Sequence, residues 1–151
     1  MTTAARSGPD VVLGDVDLGS LSWVAGDATI AELARTMEVA GTSAVLVGAD
    51  GAIATERDIV QAVAYGRSVE EPAIKIATPD AVCAPVTDTV AEAFVTMVAR
   101  GIRHLVVVDT AGTAVGIVST TRIAALVFGD ADVPSWLSAL RTALGVEAIA
   151  W

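Results

Sequence analysis

A chain of 151 residues has room for one compact domain or for two small units sharing a core, not for a catalytic domain with a regulatory one attached. Its residues are 54% hydrophobic and 18% charged, which excludes global disorder, and no apolar run approaches the ~20 residues that a membrane span needs. The formal charge of −9, with eight scattered arginines and a single lysine, Lys75, argues against nucleic acid as a partner. One cysteine, Cys83, excludes an intrachain disulfide and argues against a cysteine-based zinc site, one histidine, His104, excludes a two-histidine site, and no metal is expected. No secretory apolar stretch occurs in Met1–Asp10, so the expected location is the cytoplasm. Heavy use of Ala and Arg beside one Lys points to a GC-rich bacterial genome.

Residues 1–10 read as a disordered N-terminus, and a first unit is expected over residues 11–66. Within it, Thr29-x-x-Glu32 is a capping box that opens a helix, and Ile30, Leu33, Met37 and Ala40 fall on one helical face. Gly41 stands where that helix would end with positive φ. The apolar run Ala44–Val47 reads as a buried strand, Asp50-Gly51 as a tight two-residue hairpin, and about Glu56–Tyr65 as a second helix. A linker rich in turn formers, including Pro72 and Pro79, follows over residues 67–79.

The pattern then repeats over residues 80–129. A shift of sixty positions carries Thr29, Ala31, Glu32, Thr36, Met37, Gly41 and Val47 onto identical residues at Thr89, Ala91, Glu92, Thr96, Met97, Gly101 and Val107. Thr89-x-x-Glu92 is the second capping box, and Val90, Ala93, Phe94, Met97 and Val98 read as its buried face. A strand over Leu105–Val108, a longer turn at Asp109–Thr113 and a helix over Thr120–Phe128 complete the copy. The chain is thus expected to be α/β (α+β): two tandem βαββα-like units packed pseudo-symmetrically around a cleft. Residues 130–151 form a C-terminal tail, with Trp136, Leu140 and Leu144 at helical spacing and Gly145 as the stop. Cys83, Met37 and Met97 read as core residues.

Two strings carry a family resemblance. Ala52-Ile53-Ala54-Thr55-Glu56-Arg57-Asp58-Ile59-Val60 and Gly116-Ile117-Val118-Ser119-Thr120-Thr121-Arg122-Ile123 resemble the strand-to-helix signature of the cystathionine-β-synthase (CBS) domain. Ile76–Val82 and Gly101–Asp109 are similar to two further segments of that family, in the right order. The resemblance covers about Val16 to Val127 and implies a tandem pair that binds an adenosine-containing ligand (AMP, ADP, ATP or S-adenosylmethionine) between its copies. It further implies that Asp58 accepts hydrogen bonds from ribose hydroxyls, that Thr55 touches ribose or phosphate, and that Arg103 and His104 neutralise phosphate. Ser119 and Arg122 are the matching positions of the second copy. Arg122 replaces the ribose-binding aspartate, so that site is either lost or turned into a phosphate contact, and the first hairpin is four residues shorter than the second.

Each of these residues also has a plain reading. Thr55-x-x-Asp58 caps a helix whether or not a ligand binds, and Ser119 is explained by N-capping alone. Arg103 reads equally as a solvated cation, and His104 as a half-buried histidine near neutrality. No nucleophile–base pair emerges, so the chain is not expected to be an enzyme, and no cofactor is required. The expected function is a regulatory sensor, with a ligand-free dimerisation or partner-binding module as the alternative. A homodimer is expected, because two small units leave apolar helix faces uncovered. The apolar tail is expected to dock on the chain's own core, with a homodimer contact as the rival.

Overall fold

The computed structural model describes residues 8–128. The expected tail 130–151, and most of the N-terminus expected to be disordered, lie outside the described residues. Two three-stranded sheets form, each with the same strand order and each followed through the same series of elements. The first unit comprises β1 (Trp23–Val24), α1 (Ile30–Ala40), β2 (Ala44–Val47), β3 (Ala52–Thr55) and α2 (Glu56–Ala64). The second comprises β4 (Cys83–Pro85), α3 (Val90–Arg100), β5 (His104–Val108), β6 (Ala114–Ser119) and α4 (Thr120–Phe128). In each sheet the middle strand pairs in parallel with the first strand and antiparallel with the third. The βαββα reading and the mixed α+β class are therefore correct.

Local chemistry sets these boundaries. Thr29 and Thr89 cap α1 and α3, each donating its backbone N–H to a glutamate carboxylate at 2.7 and 2.8 Å. These contacts hold the Glu32 and Glu92 carboxyls below their usual range, the backbone hydrogen bond being the largest cause. Gly41 and Gly101 end the helices at φ 62° and 63°, in the left-handed region that residues with a Cβ resist. The middle strand β2 is buried throughout, as its uninterrupted apolar run requires.

Two cores result, and each borrows from the other half of the chain. Leu33, Met37, Val45 and Val47 pack with Ala73, which precedes the second unit. Met97, Leu105, Val107 and Ile123 pack with Leu13 and Val16, which precede the first. Hydrogen bonds repeat the exchange. Ile30 and Ala31 donate to the carbonyls of Glu71 and Val69 at 2.9 and 3.0 Å, while Val90 and Ala91 donate to those of Val11 and Pro9 at 2.9 and 3.0 Å. The segment leading into each unit thus satisfies the orphan N–H groups at the first turn of the other unit's helix.

Four details differ from the sequence reading. The first hairpin turns through four residues, Gly48–Gly51, with left-handed glycines at both ends, rather than through Asp50-Gly51 alone. Cys83 is exposed, because on β4 only the central Ala84 faces the core. Ala40 is exposed at the end of α1. Phe94 and Val98 also point outward, since α3 turns only Val90, Ala93 and Met97 to the core.

Candidate functional site: a cleft between the two units

The junction of β3 and α2 anchors one wall. Thr55, the last residue of β3, donates its backbone N–H and its hydroxyl to Oδ2 of Asp58, at 2.7 and 2.8 Å. Oδ1 of Asp58 receives no hydrogen bond from any described residue. Glu56 N–H, in turn, donates to the carbonyl of Ser43 at 3.1 Å, fixing the start of α2 against the start of β2.

A second wall comes from the segment that leads into β4. Ile53 N–H donates to Thr78 O at 2.9 Å and Thr78 N–H returns to Ile53 O at 2.8 Å, so residues 78–82 run along the open edge of β3. Asp80 adopts φ 52° in this segment, the only non-glycine residue among those described with positive φ. The third wall follows the left-handed turn at Gly101, which delivers Ile102, Arg103 and His104 to the start of β5. Between these walls lies an open cleft of about 210 Å³. Thr55, Asp58, Arg103 and His104, four of the six residues marked in the sequence, line it together, with Arg57 and Asp80 as further charged groups. Ile53, Val82 and Ile102 supply apolar surface.

His104 ties the two units to each other. Its Nε2 lies 2.7 Å from Ser43 Oγ, a contact the sequence reading missed because the two residues are sixty-one positions apart. Burial pushes the imidazole pKa below its ordinary value and the adjacent Arg103 adds to this, while Glu56 and Asp58 act in the opposite sense. The ring is therefore neutral at neutral pH and serves as a hydrogen-bonding strut. The Ser43–His104 pair also has the separation of a nucleophile and its base. However, Ser43 does not line the cleft, and no carboxylate among the described residues hydrogen-bonds the second ring nitrogen.

The corresponding place in the second unit is closed. Ser119 Oγ accepts from Arg122 N–H at 3.1 Å and so caps α4, while the Arg122 guanidinium turns away to the lead-in of the first unit. It donates to the carbonyl of Asp17 through Nε at 3.1 Å and Nη2 at 2.8 Å, with the Asp17 carboxylate 3.6 Å away. Leu18, the next residue, lies directly on Gly116 of β6, where an added Cβ would stand 2.7 Å from Leu18 Cβ. Ser119 and Arg122 are thus outside the open cleft. Thr78, Asp80 and Val82 were quoted in the sequence only within a family-like segment. Their place in the cleft depends on the backbone pairing with Ile53, for which a single sequence gives no signal.

Among the described residues no helix is long and apolar enough to cross a membrane, and no cluster of three or more metal-ligating side chains occurs. Comparison with known proteins follows from this geometry. Residues 73–129 match the family model described as CBS domain. No curated protein matches the chain. Among solved structures, the CBS domain protein from Pyrobaculum aerophilum complexed with AMP is 27% identical at a TM-score of 0.68, covering 74% of this chain and 89% of that one. A CBS-domain containing protein from Agrobacterium tumefaciens is 28% identical at a TM-score of 0.66, covering 75% and 95%. The CBS domain pair of protein MJ0100, in complex with 5′-methylthioadenosine and S-adenosyl-L-methionine, shares the fold at 21% identity and a TM-score of 0.69, over 78% and 96%. The second unit thus matches the CBS-domain family model, and the two units together are similar in fold to these CBS-domain structures.

Proposed function

We propose that this chain is a regulatory module that binds one adenosine-containing ligand in the cleft between its two units. The observation that carries the reading is the convergence of Thr55, Asp58, Arg103 and His104 with an apolar wall in one open cleft. A ribose presents two adjacent hydroxyl donors, which the Asp58 carboxylate can accept, with Oδ1 still available beside the capped Oδ2. Arg103 and Arg57 offer guanidinium donors to a phosphate, and Ile53, Val82 and Ile102 offer a surface for a flat base. Neutral His104 acts as a hydrogen-bonding group rather than as a cation. The AMP in the Pyrobaculum aerophilum protein and the two adenosine derivatives in MJ0100 support this ligand class.

The stoichiometry follows from the asymmetry. With Arg122 clamped on Asp17 and Leu18 seated on Gly116, the place in the second unit that corresponds to the Thr55–Asp58 cleft is filled by the chain's own described residues. Titration calorimetry with AMP, ADP, ATP and S-adenosylmethionine tests this directly. One site per chain is expected, with Arg122→Ala leaving the affinity for the first cleft unchanged. Two equal sites would overturn the asymmetry, and no heat with any of the four would favour the ligand-free interaction module. We further infer a homodimer, since Val60 and Val63 on α2 stay 67% and 60% exposed at the module surface. A regulatory rather than catalytic role agrees with the neutral His104 strut and with a Cys83 thiol that partial burial pushes up from its usual pKa.

A further inference from the structure

Ser43 stands outside the cleft, yet it is bonded to both of the units that form it. It follows the left-handed turn at Gly41 and precedes β2, half-buried, where the repeat places Arg103 in the second copy. The two residues share a backbone task. Ser43 O accepts from Glu56 N–H at 3.1 Å and Arg103 O from Thr120 N–H at 3.0 Å, so each fixes the helix that follows its own hairpin. Their side chains differ in use. Arg103 lines the cleft, whereas the Ser43 hydroxyl crosses to the other unit and lies 2.7 Å from His104 Nε2. One small residue thereby sets two lining groups against each other: Asp58, in the first turn of α2, and His104, at the start of β5.

The chemistry of this contact decides which ring nitrogen carries the proton. A neutral imidazole has one N–H and one lone pair, and a serine hydroxyl can meet either. At 2.7 Å the contact is short for an N–H donor, whose bonds centre at about 2.9–3.0 Å, and ordinary for an O–H donor. His104 Nε2 is also the one partner of the Ser43 hydroxyl among the described residues, so if Nε2 donated, the hydroxyl proton would have no acceptor there. With the hydroxyl donating, the lone pair sits on Nε2 and the proton on Nδ1. Nδ1 has no hydrogen-bond partner among the described residues, and none of their side-chain nitrogens or oxygens is both sealed from solvent and unpartnered. Nδ1 therefore meets solvent, and the ring that bears it lines the cleft. We infer that Ser43 is a positioning residue of the cleft: its hydroxyl donates to Nε2 and holds His104 as the Nδ1–H tautomer, so that the ring offers the ligand a neutral hydrogen-bond donor. This rests on the cleft being the ligand site. The atom served is an acceptor of the adenosine ligand, a phosphate oxygen or a ring nitrogen of the base. Arg57 and Arg103 bring positive charge to the cleft, and His104 brings direction without adding to it.

His104 is the only histidine of the chain, so ¹⁵N-labelled histidine gives a single imidazole to follow by magnetic resonance in the full chain. Without ligand and at neutral pH, the Nδ1 shift is expected to be that of a protonated ring nitrogen and the Nε2 shift that of a hydrogen-bonded lone pair. Ser43→Ala should move the ring toward the Nε2–H tautomer that histidine favours in water, and Ser43→Thr, which keeps the hydroxyl, should retain the wild-type pattern. In calorimetry, Ser43→Ala should bind AMP about two- to tenfold more weakly, as for the loss of one neutral hydrogen bond, with Ser43→Thr near the wild type. Adenosine separates the two acceptors: an equal loss with adenosine assigns the contact to the base, and a loss confined to AMP assigns it to the phosphate. A wild-type ring protonated on Nε2 would overturn the inference without any variant. So would a Ser43→Ala chain, shown to be folded by its melting curve, that keeps the Nδ1–H pattern or binds AMP as tightly as the wild type. The expected tautomer in a chain that gives no heat with any adenosine-containing ligand overturns the nucleotide reading instead, and the ligand contact with it.

Discussion

Asp58 serves two purposes that substitution can separate. In the unliganded chain its carboxylate accepts from the Thr55 N–H and hydroxyl at the start of α2. Removing it by Asp58→Ala leaves a half-buried backbone N–H without its acceptor, a loss of about 1 kcal/mol, and deletes a negative charge from a helix N-terminus, worth about 0.3–1 kcal/mol more. For a chain of this size a loss of about 1–2 kcal/mol lowers the melting temperature by about 3–6 °C. Asp58→Asn keeps an oxygen for Thr55 N–H, so its unliganded melting point should stay nearer that of the wild type. The amide still replaces one acceptor with a donor, however, where ribose hydroxyls also donate. Charge-assisted bonds of this kind are worth about 1.5–3 kcal/mol, so both variants should bind AMP roughly 10- to 100-fold more weakly. Differential scanning fluorimetry without ligand and calorimetry with AMP separate the two effects. If Asp58→Asn binds AMP as tightly as the wild type, the carboxylate is a helix cap and nothing more. If Asp58→Ala does not lower the unliganded melting point, the capping account fails.

Two further outcomes follow. Because the folded state holds the His104 pKa below its ordinary 6.5, the unfolded chain binds the extra proton first, so stability falls as the pH drops below that value. Denaturant melts at pH 7.5, 6.5 and 5.5 should show that fall, and His104→Gln should flatten it; an unchanged slope in the variant would remove His104 as its source. Light scattering should give a dimer that Val60→Arg with Val63→Arg dissociates, and a monomeric wild type at tens of micromolar would refute the assembly proposed for α2.

Much of the fold was legible because its signals are local. The capping boxes at Thr29 and Thr89, the glycines at 41 and 101 and the apolar run Ala44–Val47 are each decided by a few adjacent residues. The misread positions are those where two faces compete. Phe94 and Val98 are apolar and near Val90, Ala93 and Met97 on a helical wheel, so periodicity alone could not separate a core face from an outer one. Cys83 was assigned to the core by residue type, while strand alternation turned it outward. At the candidate site, Thr55 and Asp58 stood out through their resemblance to the family's strand-to-helix signature, and Arg122 through standing where that signature has an aspartate. What Arg122 binds was not legible, because its partner, Asp17, is 105 positions away. The Ser43–His104 contact was hidden for the same reason.

The exchanged lead-in segments have a consequence for how the chain is made. Leu13 and Val16 are among the first described residues to leave the ribosome, yet the core that buries them contains Met97, Leu105, Val107 and Ile123. They must wait, unburied, until some hundred further residues have been synthesised, whereas Leu33 and Met37 wait only for Ala73. The first core can therefore close once Ala73 has emerged and the second only once Leu126 has, which makes the nascent strip around Leu13 and Val16 the part most open to misassociation. A polypeptide cut between the repeats would still hold each half's missing piece on the other half, so the two fragments are built to find each other rather than to fold apart.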